Sequence, residues 1–249
     1  MRNLQSFAFV QKVFLESEYT ISDVEPATDK KGAVEKSVLK ELFSLLTIDA
    51  KKTATVIYYH MYPYIPLVLS KLESSKKDLF YFLKHVLELR ESGSQPNSPV
   101  KTSSRWKDED VLSSQETYET FIELMCEFEP RRVAAYIKSK TSHFRNQKVL
   151  KVCQKFKLVD AQAFVLEEED RVDEAFQLMK SDLDEKIRSV LTNNNPSPES
   201  SELAWTHLNA SVLLIIQFCQ RVSSKSTDAR KHEKLWFGLL DALVSHFCS

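Results

Sequence analysis

Glycine is scarce in this sequence: 3 of its 249 residues are glycine and 8 are proline. A β-sandwich or a doubly wound sheet needs many tight turns, and phosphate-binding loops need glycine where the backbone approaches the ligand. Neither a glycine-rich phosphate motif nor the nucleophile motif of serine hydrolases occurs. The composition therefore favours an all-α protein that is not an enzyme and has no cofactor and no small-molecule substrate.

Cysteine and histidine are too dispersed in the sequence to suggest a metal site. The four cysteines form no C-x-x-C pair, and the six histidines lack the spacing of metal ligands. Cys126, Cys153 and Cys219 fall at apolar positions of helical patterns, where a thiol packs as a small hydrophobic group. We therefore expect no metal and buried, reduced cysteines, which are typical of a cytosolic protein.

An excess of one charge sign and a long apolar run are also missing. The 34 basic residues face 35 acidic ones, so no overall attraction to nucleic acid is expected. The longest apolar run near the C-terminus, residues 212–216, is far below the roughly 20 residues that span a bilayer. Because the N-terminus also lacks the pattern of a signal peptide, we expect a cytoplasmic protein without nucleic-acid partners.

Apolar residues at helical spacing fill most of the chain. Residues 79–87, 118–125, 172–191, 205–222 and 236–247 each carry an apolar stripe with steps of three and four residues. No segment shows convincing strand alternation. Helices of about 10 to 20 residues in series predict an α-solenoid of stacked helical pairs, with no β-propeller and no RING domain in this chain.

Polar segments rich in serine, proline and asparagine divide the chain. We predict an N-terminal helical segment over residues 1–91, a linker over 92–104, a solenoid segment over 105–191, a linker over 192–202 and a C-terminal helical hairpin over 203–249. Ser98 and Ser197 each precede a proline in these linkers, where a proline-directed kinase could phosphorylate them.

Charge changes sign abruptly near the middle of the chain. Residues 158–174 hold seven acids and one base, and the preceding segment holds nine bases and no acid: Arg131, Arg132, Lys138, Lys140, Arg145, Lys148, Lys151, Lys155 and Lys157. The basic segment is a candidate surface for anionic lipid headgroups or for an acidic partner. The simpler interpretation, which we favour, is a solvated face or pairing between adjacent helical layers.

Aromatic residues in the last two helical patterns are candidate hydrophobic anchors. They are Trp205, Trp236 and Phe237. Tryptophan is enriched at binding hot spots, but packing within the terminal helical hairpin is the interpretation we favour.

Three segments of the second half resemble the helical region of the vacuolar protein sorting-associated protein 8 family and, more distantly, clathrin heavy-chain-type repeats. They are FIELMCEFEPRRVAAYI at residues 121–137, AQAFVLEEEDRVDEAF at residues 161–176, and LWFGLLDAL at residues 235–243, preceded by FCQR at residues 218–221. The resemblance covers about residues 117–247, and the first 100 residues share only helical character.

This resemblance implies a non-enzymatic scaffold in a CORVET-like endosomal tethering complex, acting in vesicle transport, endosomal fusion and protein targeting to the vacuole or lysosome. It implies other tethering subunits and an endosomal Rab GTPase as partners, with peripheral association with endosomes. The alternatives are a segment of a related tethering subunit or clathrin-type coat protein, and a peripheral anionic-lipid-binding module. Members of the family also carry a β-propeller and a RING domain, so we expect this chain to be a fragment, the product of a truncated gene model or a diverged short form.

Overall fold

The computed structural model of the chain describes residues 27–93, 110–192, 198–225 and 229–245. These residues form eleven α-helices and three short 3-10 helices, with no strand among them. Most helices pack against their neighbours in the chain, which gives the all-α, solenoid-like arrangement that the apolar periodicity predicted. The helices divide between two compact units, Met1–Phe128 and Glu129–Ser249.

The first unit contains five α-helices and two 3-10 turns. The helices are α1 (Ala27–Lys40), α2 (Leu42–His60), α3 (Ile65–Leu72), α4 (Lys76–Glu91) and α5 (Gln115–Phe128), and the turns are Tyr62–Tyr64 and Val111–Ser113. Helix α2 is kinked at Asp49, whose backbone is extended (φ −159°, ψ 95°). The Asp49 carboxylate accepts a hydrogen bond from the Lys52 N–H at 2.9 Å, so it caps the second half of the helix.

Aromatic packing brings α5 into the first unit. The Phe80 ring of α4 is buried and stacks on Phe121 and Phe128 of α5, with ring centroids 5.8 and 5.2 Å apart. Such ring pairs add to the free energy of burying the side chains. The first compact unit therefore extends to Phe128. Most of the predicted linker at residues 92–104 lies outside the described residues.

The second unit contains six α-helices and one 3-10 turn. The helices are α6 (Pro130–Ser139), α7 (Asn146–Lys155), α8 (Val159–Glu168), α9 (Val172–Thr192), α10 (Pro198–Lys225) and α11 (Ala229–Ser245), and the turn is Thr141–His143. Helices α6 and α7 both pack on α8, α9 packs between α8 and α10, and α11 contacts α9 and α10. Helix α10 begins at Pro198, inside the predicted linker over 192–202, because proline suits the first turn of a helix.

Two helix ends use left-handed residues other than glycine. Lys157 (φ 54°) follows α7 and Asp170 (φ 58°) follows α8. In both cases the next N–H, of Leu158 or Arg171, bonds back to a carbonyl five residues earlier, at 3.0 and 2.9 Å. These bonds satisfy the last carbonyls of each helix, so each chain reversal is tight enough to stack the next helix on the last.

Three predicted core cysteines, Cys126, Cys153 and Cys219, are buried, with no disulfide among them. Burial raises the pKa of the Cys219 thiol to about 11, which keeps this thiol protonated near neutral pH. Ser98 and Ser197, the predicted phosphorylation sites, lie outside the described residues.

Candidate interaction surface in the second unit

The nine predicted basic residues lie on α6, α7 and the connections around them. Eight of these side chains are exposed and Lys140 is half-buried. On α7, Lys148, Lys151 and Lys155 follow one another at steps of three and four residues, so they share one face of the helix. The opposite face of α7 is buried and carries Val149, Leu150 and Cys153. We refer to the exposed face, together with Arg145 just before the helix, as the α7 ridge.

A cavity of about 570 Å³ opens at the N-terminal end of the α7 ridge. Its lining residues are Thr141, Phe144, Arg145, Asn146, Gln147, Lys148, Lys151 and Glu169. Glu169, the acid in this lining, accepts a hydrogen bond from the Arg171 guanidinium at 3.0 Å. The cavity therefore combines three basic side chains with one carboxylate that already has a cationic partner.

The other basic residues of the segment are arranged differently. Arg132, in the first turn of α6, pairs with Glu129 at 3.0 Å. The Lys138 ammonium lies 5.7 Å from the centroid of the Phe164 ring, and the Lys155 ammonium lies 5.3 Å from that of Phe156. Arg131 is exposed in the first turn of α6, and Lys140 and Lys157 follow the ends of α6 and α7. The structure thus brings Arg145, Lys148 and Lys151 together at one cavity, but it does not bring all nine bases there.

The acidic run contains a buried carboxylate that composition did not indicate. The Glu167 side chain is 3% exposed, and its two oxygens accept hydrogen bonds from Arg221 at 3.0 Å and Lys225 at 2.9 Å. Burial by itself raises the pKa of Glu167, but the two cations of α10 outweigh it and hold that pKa below its ordinary value. Glu167 therefore joins α8 to α10.

Other acids of the run pair with bases beyond the basic segment. Arg171 binds Glu169 and Glu174 at 3.0 and 2.7 Å, and Lys234 of α11 binds Asp173 at 3.1 Å. Helical spacing was the signal that could have singled out Glu167. It lies four residues after buried Ala163, on a face where a solvated acid is not expected.

The three aromatic candidates do not form a buried cluster. Trp205 is 49% exposed, Phe237 is 67% exposed, and Trp236 is half-buried. Leu235, Leu239 and Ala242 occupy the buried face of α11 instead, and Phe237 lies on another face of that helix. Trp205 and Phe237 are thus exposed within this chain, and in α11 leucine and alanine fill the contact instead of Phe237.

Among the described residues, no helix is both long enough and apolar enough to cross a membrane. The same part of the chain contains no group of three or more His, Cys, Asp or Glu side chains that could hold a metal ion.

Comparison with known proteins finds two distant relatives. The chain is 24% identical over 219 residues to the vacuolar protein sorting-associated protein 8 homolog of Mus musculus, and 26% identical over 219 residues to that of Homo sapiens. Each comparison covers 88% of this chain and 14% of the relative, so the chain spans a small part of the relatives' length. The matched length necessarily includes most of residues 1–116, which extends the similarity beyond the segments that carried the sequence resemblance.

No protein-family model matches the chain. No solved structure matches it either.

Proposed function

We propose that this chain is a non-enzymatic helical scaffold in a tethering complex for vacuolar protein sorting. The chain would correspond to a helical segment of the vacuolar protein sorting-associated protein 8 homologues. The observation that carries this proposal is the similarity to two such homologues over 88% of the chain. The architecture suits the role, because helices packed in series present extended surfaces to partners without requiring a catalytic pocket.

In finer terms, we propose that the chain acts within a CORVET-like complex. Its partners would be the other tethering subunits and an endosomal Rab GTPase, and it would associate peripherally with endosomes. The process would be vesicle-mediated transport, with endosomal fusion and delivery of proteins to the vacuole or lysosome. The three resembling segments at residues 121–137, 161–176 and 235–243 support this assignment.

Affinity purification of the endogenously tagged protein tests the complex. We expect mass spectrometry to recover other tethering subunits above the level found with a tagged, unrelated helical protein. An immunoblot of the same lysate gives the size of the cellular protein, against 28.8 kDa for this chain. Recovery of clathrin-type coat subunits in place of tethering subunits would favour the coat alternative, and recovery of neither would contradict both assignments.

A binding experiment with purified components tests the Rab partner. The chain should retain an endosomal Rab loaded with a non-hydrolysable GTP analogue and should retain less of the same Rab loaded with GDP. Equal retention of both forms would contradict the effector role, because an effector distinguishes the two nucleotide states through its differential affinity for them.

A further inference from the structure

We propose that the α7 ridge binds anionic phospholipid headgroups at a membrane surface. Lys148, Lys151 and Lys155 are exposed on one face of α7, and Arg145 extends the positive charge to the cavity before the helix. No acid occurs between residues 130 and 157. The ridge therefore presents four exposed cationic side chains on a chain whose net charge is −1.

The surroundings of the ridge favour a lipid surface over a protein segment. Among the described residues from 130 to 190, no large apolar side chain is strongly exposed. Protein interfaces obtain much of their affinity from buried aromatic and aliphatic anchors, which a partner would not find beside these lysines. A layer of anionic headgroups needs no such anchor, because each exposed lysine or arginine near the surface is attracted by charge alone.

The cavity gives the ridge a place for one headgroup. Arg145, Lys148 and Lys151 line it together, and such cationic side chains can donate charge-assisted hydrogen bonds to a phosphate group. The Thr141 hydroxyl is a further hydrogen-bond donor in the lining. The Glu169 carboxylate is the unfavourable group there, and its bond to Arg171 reduces its repulsion of an anion.

Binding of this kind depends on salt. The attraction is between the cations of the ridge and the anionic headgroups. Because dissolved ions screen it, this attraction falls off within a Debye length of about 10 Å at 0.1 M salt. We expect the full chain to co-sediment with vesicles of phosphatidylcholine and phosphatidylserine at low salt, and to remain in solution at high salt. Vesicles of phosphatidylcholine alone should not sediment it.

A matched pair of variants identifies the surface. The ridge variant Lys148→Gln/Lys151→Gln/Lys155→Gln should lower the partition coefficient on anionic vesicles by about a hundredfold. The control Lys36→Gln/Lys40→Gln/Lys51→Gln removes three exposed lysines of the first unit and should lower it by less than about threefold. Circular dichroism should show unchanged helix content in both variants, because all six side chains are exposed.

Three outcomes would overturn the inference: no sedimentation with anionic vesicles at low salt, equal loss in the two variants, or ridge-dependent binding of a poly-glutamate peptide without binding of vesicles. The last outcome would assign the ridge to an acidic protein segment. The inference does not rest on the tethering role, because the assay uses the purified chain and vesicles without other subunits. Its failure would therefore leave the purification experiment as the separate test of the proposed function.

Discussion

The buried contacts between helices differ in chemistry between the two units, although an exposed ion pair, Lys76 with Glu127 at 2.8 Å, also joins α4 to α5. In the first unit, the described ring pairs connect α4 to α5 through Phe80, Phe121 and Phe128, and α2 to the following turn through Tyr58 and Tyr62. In the second unit, charged groups bridge the helices, with Glu167 bonded to Arg221 and Lys225 of α10. Similar apolar periodicity therefore accompanies two kinds of contact between helices.

Polar links occur in both units but serve different elements. In the first unit, Tyr62 donates a hydrogen bond to Asp110 at 2.9 Å, and Arg90 pairs with the same carboxylate at 3.0 Å. Burial and this hydrogen bond raise the pKa of Tyr62. In the second unit, Lys186 of α9 lies 2.6 Å from both Asp182 and the buried Ser211 of α10. The first link fixes the turn before α5, whereas the second joins two long helices along their length.

Loss of the buried aromatic stack in the first unit should destabilise the protein most. Phe80→Ala removes a ring that is 1% exposed and leaves a cavity beside Phe121 and Phe128. Large-to-small changes of this kind cost about 3–5 kcal/mol. Urea unfolding measures the loss, and hydrogen exchange should place it in the first unit.

The matched control for this variant is Phe43→Ala. Phe43 lies in the same unit but is 40% exposed, so its removal leaves little cavity and should cost less than about 1 kcal/mol. If the two variants lost equal stability, the buried stack would not be what fixes α5 to α4.

Removal of the buried charge that joins α8 to α10 should have the next largest effect on stability. Glu167→Gln keeps the shape of the side chain but removes the charge that Arg221 and Lys225 neutralise. Hydrogen bonds to charged groups contribute about 1.5–3 kcal/mol each. Both cations can turn toward water, so we expect a total loss of about 1–3 kcal/mol at neutral pH. Urea unfolding of the second unit measures it.

Acid should abolish the difference between Glu167→Gln and the unmodified chain. Because the folded pKa of Glu167 lies below its ordinary value of 4.5, its stabilisation is complete above that value. It is lost as the pH falls through the lower folded pKa. The control Glu168→Gln neutralises an exposed neighbour and should change stability by less than about 0.5 kcal/mol. A stability gap that persisted unchanged in acid would mean that packing, and not charge, explains the loss.

The sequence predicts the helices well and the contacts between them less well. The stripe positions Leu79, Phe82 and Leu83 are buried as expected, because helical periodicity directly reports which face meets the core. The placement of α5 was not predictable from composition, since the stack on Phe80 joins residues separated by a long polar segment. Periodicity indicates that a face is buried but does not identify the helix that covers it.

The candidate surface also has features that the sequence predicts and features that require the fold. Exposure of the α7 lysines follows from spacing, because the apolar Val149, Leu150 and Cys153 fix the opposite face. The cavity beside Arg145 depends on Glu169 at the end of α8, so it requires the fold itself. Glu167 was missed because an acid within an acidic run has no local sign of its partners, which lie over 50 residues away in α10.

A glycine in α11 lies where this helix closely approaches α9. A Cβ added at Gly238 of α11 would lie 2.9 and 3.1 Å from two carbons of the buried Phe176 ring of α9. Overpacking of this kind costs about 1–3 kcal/mol, partly offset by the higher helix propensity of alanine. We therefore expect Gly238→Ala to lower stability by up to about 2 kcal/mol in urea unfolding.

The first unit supplies the control for Gly238. A Cβ at Gly32 of α1 would meet nothing within 4 Å, so Gly32→Ala should raise stability by about 0.5–1 kcal/mol. Gly238→Ala should cost less in a Phe176→Leu background than in the unmodified chain, because the smaller side chain leaves room for the added methyl group. If Gly238→Ala behaved like Gly32→Ala, close approach of α9 and α11 would not depend on glycine.

Removal of an exposed ion pair in the second unit should change stability least. This change tests whether every ion pair between helices stabilises the unit. Lys234 and Asp173 join α11 to α9 at 3.1 Å, but their side chains are 69% and 76% exposed. Solvent and salt screen such a pair, so Lys234→Gln should lower stability by less than about 0.5 kcal/mol, and added salt should remove the difference. Urea unfolding at two salt concentrations measures both. A loss equal to that of Glu167→Gln would mean that charge pairing stabilises the unit wherever it occurs. The expected gap between the two variants would instead show that burial of the carboxylate gives the α8–α10 bridge its strength.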